Sequence, residues 1–568
     1  MENRPSLSQY FGSSDVPPAS QFFDEIGTSP SDMSQSIYLG DPEGQPPPAT
    51  VPQAHVSFPL AQDDPFGVPT ISGPLAASTY AAIPATSLPD PSTFFDNIGP
   101  EPQIGSNKSS LAPPLLTDTT DAASSTNQPV DKEADRRRDA WIPNEEARKT
   151  LLKAQSSPRG SFFPEREVLT MPGIVLEEEL EDHLHSVVVQ QLGVSSSGMR
   201  GVVRAEHVPR NEPGVRELLR AGCFRAAVNL TGTNLSAAGQ GPGRMHRPTK
   251  HTPRSLQNWL TRFAVMVRIK LYEPLMKEAE PFGDLSKPDM FYQFYPDTYG
   301  DRTGSMAPFS LRLLIAELPG HVGKSEESMD RLYVMLNVIN QMLENLKEGK
   351  TEDGTGTLME QDKVESIRLW NGRKTRVLHS IVNCAIALKD YRLATKVLKS
   401  LMQDSPTAMQ KRAHSSALCR MYLLAGNVSA AIAQLEDAKT YRLQLCPTPD
   451  VREYMDLGLI DMGLGKYQDA YNNFLRAADQ EPTNITVANN LSVCLLYMGR
   501  LKESIAVLQN AIHSNPERGL NESLLLNLCT LYELESSQSR DKKLSLLRLL
   551  SEHKSDTLPN VRECLKLS

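Results

Sequence analysis

Two consecutive segments of equal length, VREYMDLGLIDMGLGKYQDAYNNFLRAADQEPTN and ITVANNLSVCLLYMGRLKESIAVLQNAIHSNPER, begin at Val451, and their landmark residues recur 34 positions apart. Leu457 recurs as Leu491, Gly465 as Gly499, Phe474 as Leu508, Ala477 as Ala511 and Pro482 as Pro516. A period of this length holds a helix, a turn with Gly at its left-handed position, a second helix, and a Pro that blocks continuation. Gly458, Ala470 and Ala477 are small where helices must approach closely, while Tyr454, Leu457 and Phe474 fill the space between. Such a unit buries its apolar face only against neighbouring units, so the chain is constrained to a stacked all-α solenoid.

Residue types of this kind at this period form the tetratricopeptide signature. Degenerate copies precede the regular pair. One holds Tyr391, Ala394, Leu398 and Pro406; the next holds Leu418, Tyr422, Gly426, Ala431, Leu435 and Ala438, with extra residues near Cys446-Pro447. Beyond Pro516, Leu524 to Leu534 and KKLSLLRLL read as capping helices. The expected organisation is a disordered tail over 1–135, a helical region with irregular loops over 136–370 that forms the upstream solenoid, and repeats with caps over 371–568.

The tail is set apart by composition. Half of the 42 prolines fall within residues 1–130, which hold 14 acidic and two basic residues. That segment has a net charge of −12 and leaves the remainder near +3 against the total of −9. With few branched aliphatics, it cannot bury enough apolar surface to offset ordering entropy. The near-neutral remainder gives no reason to expect nucleic acid, which demands a clustered basic face. Within the tail, Phe22-Phe23-Asp24-Glu25-Ile26-Gly27 returns as Phe94-Phe95-Asp96-Asn97-Ile98-Gly99. Phe22, Phe23, Asp24 and Ile26, with Phe94, Phe95, Asp96 and Ile98, are candidates for a linear motif docking in a partner's groove, and two copies raise avidity. Asp64-Pro65-Phe66 is similar to short peptides read by coat adaptors.

Upstream of the repeats, DKEADRRRD (131–139) reads as a solvated approach to structure and DAWIPNEEARKTLL as the start of a helix. Glu177 to Leu192 reads as a further helix, and Glu212 to Leu230 as a pair turning near Ala221-Gly222. Residues 239–254 form a basic Gly/Pro-rich loop. Leu256, Leu260, Phe263, Val267 and Leu271 repeat at helical spacing, as do Met329, Leu332, Leu336, Ile339, Leu343 and Leu346. Residues 281–306 are an aromatic insertion expected to pack, and Lys347 to Thr357 a flexible interruption.

No constellation of residues points to catalysis. Gly320 to Ser325 lacks the first Gly of a phosphate loop, Leu318 standing in its place, and two glutamates follow. His183 and His185 lie two apart on a helix and diverge, and GQGPG has no preceding strand. The seven cysteines form no CxxC pair and suit a reduced compartment; no cofactor or metal is expected. No apolar run is long enough to span a membrane, and the first residues lack the pattern of a cleaved signal. Asn490 stands at one position of the carboxylate clamp with which some tetratricopeptide arrays hold chaperone tails. Its companions Met455, Leu459, Leu520 and Leu524 are apolar and cannot hold a carboxylate.

DAWIPNEEARKTLL at 139, LTMPG at 169, LLRAGCFRAAVNLTG at 218, YQFYPDTYGDRTGSM at 292 and the repeats, in this order, resemble the subunit-twelve family of the TRAPP vesicle-tethering complex, from about Asp139 to the end. The resemblance implies a noncatalytic peripheral scaffold at the endoplasmic reticulum–Golgi boundary, serving transport and autophagy. It implies other subunits of the complex as partners, with a COPII outer-coat contact. The alternative is a tetratricopeptide adaptor or co-chaperone outside that complex.

Overall fold

The computed structural model describes residues 132–158, 162–193, 202–556, 558 and 560–567. The tail and both copies of its aromatic motif lie outside the described residues. Within them the chain is helical, with isolated β-bridges in place of sheet.

The first helices are α1 (Lys132–Asp139), α2 (Glu145–Ser156) and α3 (His183–Leu192). Eight antiparallel pairs follow. They are α4 (Glu212–Arg220) with α5 (Phe224–Ala237), α6 (Pro253–Arg268) with α7 (Tyr272–Ala279), and α8 (Phe309–His321) with α9 (Ser325–Lys347). Next are α10 (Glu360–Ala387) with α11 (Tyr391–Asp404), α12 (Ala408–Leu424) with α13 (Val428–Leu443), and α14 (Val451–Gly463) with α15 (Tyr467–Gln480). The last are α16 (Ile485–Tyr497) with α17 (Leu501–Ser514), and α18 (Glu522–Glu535) with α19 (Arg540–His553).

One turn geometry joins the first seven pairs. A left-handed residue stands two positions before the second helix each time: Gly222, Lys270, Gly323, Lys389, Gly426, Gly465 and Gly499, with φ between 59° and 82°. The following N–H reaches back to a carbonyl five residues earlier, as in Cys223 to Leu218, Leu271 to Met266 and Lys466 to Asp461, at 2.8–2.9 Å. This bond closes the first helix and reverses the chain. The upstream region is therefore built on the same unit as the regular repeats. Lys270 and Lys389 hide that in the sequence, since each adopts at some cost a conformation that glycine adopts freely.

Side-chain caps start many of the first helices: Asn211 accepts from Gly214 N, Thr407 from Gln410 N, Asp450 from Glu453 N, Asn484 from Val487 N and Asn521 from Leu524 N. In the regular pair, a Cβ on Gly458 would stand 2.5 Å from the ring of Phe474, so only glycine permits that approach of α14 to α15. Ala470, Phe474, Ala477 and Leu508 are buried in the layer between helices; Leu491 is buried and Leu457 and Ala511 are half-buried. Gly465 and Gly499 are exposed at their turns, and Pro482 and Pro516 lie in the connections between units.

Several local expectations are corrected. DKEADRRRD is not a solvated lead-in: α1 lies against the start of α10, with Arg136 on Glu352 and Arg137 on Asp362 and Glu365, the last at 2.6 Å. The expected helix from Glu177 begins only at His183, where Asp182 accepts from His185 N. Leu271 does not continue the Leu256 helix, which ends at Arg268 before the left-handed Lys270. Lys347 to Thr357 is a closed turn, bridged between Lys350 and Thr357, with Asp353 accepting from Thr351 and Thr355.

Candidate functional site

The irregular motifs that precede the repeats meet in one buried network. Thr170 donates its N–H and its hydroxyl to Asp289, both at 2.7 Å, and His251 Nε2 stands 3.5 Å from the same carboxylate. Trp259 Nε1 donates to Gln240 at 2.7 Å, and Arg262 grips Glu278 with two bonds of 2.6 and 2.9 Å. A threonine, a histidine and an aspartate in contact have the residue types of a nucleophilic site. All three are buried, however, and the threonine hydroxyl is spent on the carboxylate, so the network fastens loops to helices. The aromatic insertion is held from the other side: Arg302 bonds Asp139 at 2.6 Å, Ser305 N donates to the Asp139 carbonyl at 2.7 Å, and Arg312 lies over Trp141.

A second feature joins the two ends of the array. Leu184, Val187 and Val188 of α3 sit in one apolar cluster with Leu546, Leu547 and Leu550 of α19 and with Val561 and Cys564 beyond it. Asp556 accepts from the N–H groups of Phe224 and Arg225, at 2.5 and 2.7 Å, and so caps the start of α5. Arg225 Nη1 donates to the Asp556 carbonyl at 3.0 Å, Arg562 bonds Gln190, and Lys270 bonds Glu522 at 2.8 Å. Burial raises the Asp556 carboxyl above its ordinary range against the pull of these donors. No spacing in the sequence announces this clasp, because its bonded partners are 252 to 372 residues apart.

The third feature runs along the first helices of the repeats. His379 of α10 and His414 of α12 meet Nε2 to Nε2 at 3.1 Å. Ser405 gives its proton to the Leu401 carbonyl, so it accepts from His414 Nδ1, and His379 is left to donate to His414 Nε2. Burial pushes His379 down to about 3 and His414 to about 4, so both are neutral near pH 7. Between α12 and α14, Arg412 pairs with Asp450, and Arg420 with Asp456 at 3.0 Å. Between them stands Arg452, which makes no hydrogen bond or ion pair among the described residues. At the clamp position, Asn490 is buried with its Nδ2 unpartnered, and Met455 and Leu459 are buried apolar side chains. These arginines carry no spacing signal in the sequence, because they belong to two successive units of unequal length.

Such a chain is an all-α helical-repeat array whose early helix α3 and late helix α19 are packed together. No family model matches it. It is 34% identical over 569 residues to human trafficking protein particle complex subunit 12, across 99% of this chain and 72% of the relative. It is 36% identical over 438 residues to the mouse protein of that name, across 77% of this chain and 54% of the relative. The chain belongs to the trafficking protein particle complex subunit 12 family. Among solved structures, residues 1–338 of the assembly chaperone of RpL4 align over 58% of this chain and 96% of that one at 12% identity, and the TM-score of 0.22 carries no argument.

Proposed function

We propose that this chain is a noncatalytic scaffold subunit of a TRAPP vesicle-tethering complex, acting in endoplasmic reticulum to Golgi transport and in autophagy. It holds partner subunits on the surfaces of its repeats. The observation that carries this reading is its membership of the subunit 12 family over nearly its whole length. The reading places the protein at the periphery of the membranes between endoplasmic reticulum and Golgi; among the described residues no helix is long and apolar enough to cross a membrane. Phe22, Phe23, Asp24 and Ile26, with Phe94, Phe95, Asp96 and Ile98, are proposed to recruit COPII outer-coat proteins.

Native purification of the tagged protein from its own cells tests the assignment. Stoichiometric recovery of other subunits of the complex is expected. Recovery of the protein alone, or with heat-shock chaperones in place of tethering subunits, would overturn it.

A further inference from the structure

The edge of the array where α12 begins and α13 finishes places exposed apolar side chains near a cation with no hydrogen bond or ion pair among the described residues. Met409, in the first turn of α12, and Leu443, the last residue of α13, are 67% and 61% exposed, and Leu445 stands in the loop that leads from α13 to Asp450. The two helices are antiparallel and packed together, so these residues share one end. Arg412 follows Met409 by one helical turn and reaches Asp450; Arg420 lies on the same helix against Asp456. Arg452, facing Arg412, Arg420, Asp450 and Asp456, makes no hydrogen bond or ion pair among the described residues. Three guanidinium groups thus face two carboxylates. Burial, with Arg420 and Arg412 opposing the two aspartates, lowers the pKa of Arg452, which marks a charge its surroundings do not fully neutralise.

A ligand suited to this end presents aromatic side chains beside a carboxylate. The chain itself carries such an element twice, in a segment of net charge −12. The copy at 94–99 is 33 positions before Lys132, where α1 is fixed on the start of α10. A linker of that length spans up to about 110 Å when extended. The path along the 28 residues of α10 is about 40 Å, and crossing two helix spacings adds about 20 Å. Length therefore sets no obstacle, and the sign of charge is complementary.

We propose that the Phe94-Phe95-Asp96 element docks in cis on this surface, its rings on Met409, Leu443 and Leu445 and its carboxylate beside Arg452. Docking there and engagement of an outside partner by the same residues exclude one another, so a partner that takes the motif uncovers the repeat surface. This proposal does not depend on the identity of that partner.

Cys446 reports on the surface directly. It lies next to Leu445 and is the exposed one of seven cysteines, the other six being buried. The full-length protein is treated with a thiol-reactive dye, and the rate of the fast-reacting thiol is followed. The wild-type rate is expected to be several-fold slower than that of F94A/F95A, whose changes lie outside the described residues, and of R452Q, which breaks no bond among the described residues. A synthetic peptide covering residues 90–103 should slow F94A/F95A back toward wild type and leave R452Q fast. Equal rates for wild type and F94A/F95A would overturn docking in cis. A slow wild-type-like rate in R452Q would overturn the assigned role of the arginine, with unchanged thermal melting showing that the array is intact.

Discussion

Replacing Asp556 with Ala should open the clasp while leaving the repeats folded. The carboxylate accepts two backbone N–H groups, from Phe224 and Arg225, in a buried position. Hydrogen bonds to a charged group contribute about 1.5–3 kcal/mol each, so two at the low end give about 3 kcal/mol. Burial holds the carboxyl above its ordinary range, so the anion is itself costly in the fold, and the net contribution is taken as that of one such bond, about 2 kcal/mol. The bond from Arg225 Nη1 to the Asp556 carbonyl survives the substitution and keeps the loss local. At about 1.4 kcal/mol per factor of ten, opening of the clasp becomes roughly 30-fold more frequent. Hydrogen exchange on the intact protein reads this as roughly 30-fold lost protection in peptides from α3 and α19, with α15 as an internal reference. Asp556→Asn, which keeps one neutral acceptor, should fall between. Unchanged exchange in α3, or equal acceleration in α15, would refute the reasoning.

Gly458→Ala sets a methyl group against the buried Phe474 ring and should cost about 1–3 kcal/mol, measured as a lower urea midpoint. Gly465→Pro removes the N–H that bonds the Met462 carbonyl and cannot adopt φ near 72°, so it should release the protein from its assembly on native purification. His321, His379 and His414 are held below their ordinary value by burial, to about 4, 3 and 4. The unfolded chain binds protons that these groups refuse in the fold, so stability is complete above about pH 6.5 and falls as pH drops toward 4, by up to about 1.4 kcal/mol per pH unit for each histidine. The H379Q/H414Q protein should show a flatter dependence in urea melts between pH 7 and 5; an identical slope would remove the histidines as its source. Changing Phe22, Phe23, Phe94 and Phe95 to Ala should reduce recovery of coat proteins by the tail, and equal recovery would end that reading.

Architecture was legible where a local rule was obeyed by local residues. Gly426, Gly465 and Gly499 mark their turns because glycine adopts the left-handed conformation freely, and Phe474 with Ala477 marks the layer between helices. The earlier pairs were harder to read, since Lys270 and Lys389 hold that conformation without the expected residue type. Helix α1 was misread because its arginines find their acids at Glu352 and Asp362, more than 200 positions on. The clasp was invisible for the same reason, as nothing near Asp556 shows that it will cap α5. Arg452 was passed over because its neighbours are ordered by stacking of units, and an extended loop between Leu443 and Asp450 shifts their spacing. Family membership, by contrast, was signalled by the irregular motifs whose residues converge on Asp289 and Asp139.

The end-to-end clasp also imposes an order on biosynthesis. Contacts 332 residues apart cannot form until the last helices leave the ribosome. At about 5–20 residues per second, that interval is roughly 15 to 65 s. Throughout it, Leu184, Val187 and Val188 have no C-terminal helices to cover them, while the repeats between are free to stack unit by unit as they emerge. The newborn chain thus carries a sticky patch at Leu184, Val187 and Val188 that waits for Leu546 to Cys564 to seal it, and a ribosome stalled short of Asp556 would hold a polypeptide with most of its units assembled and its seam still open.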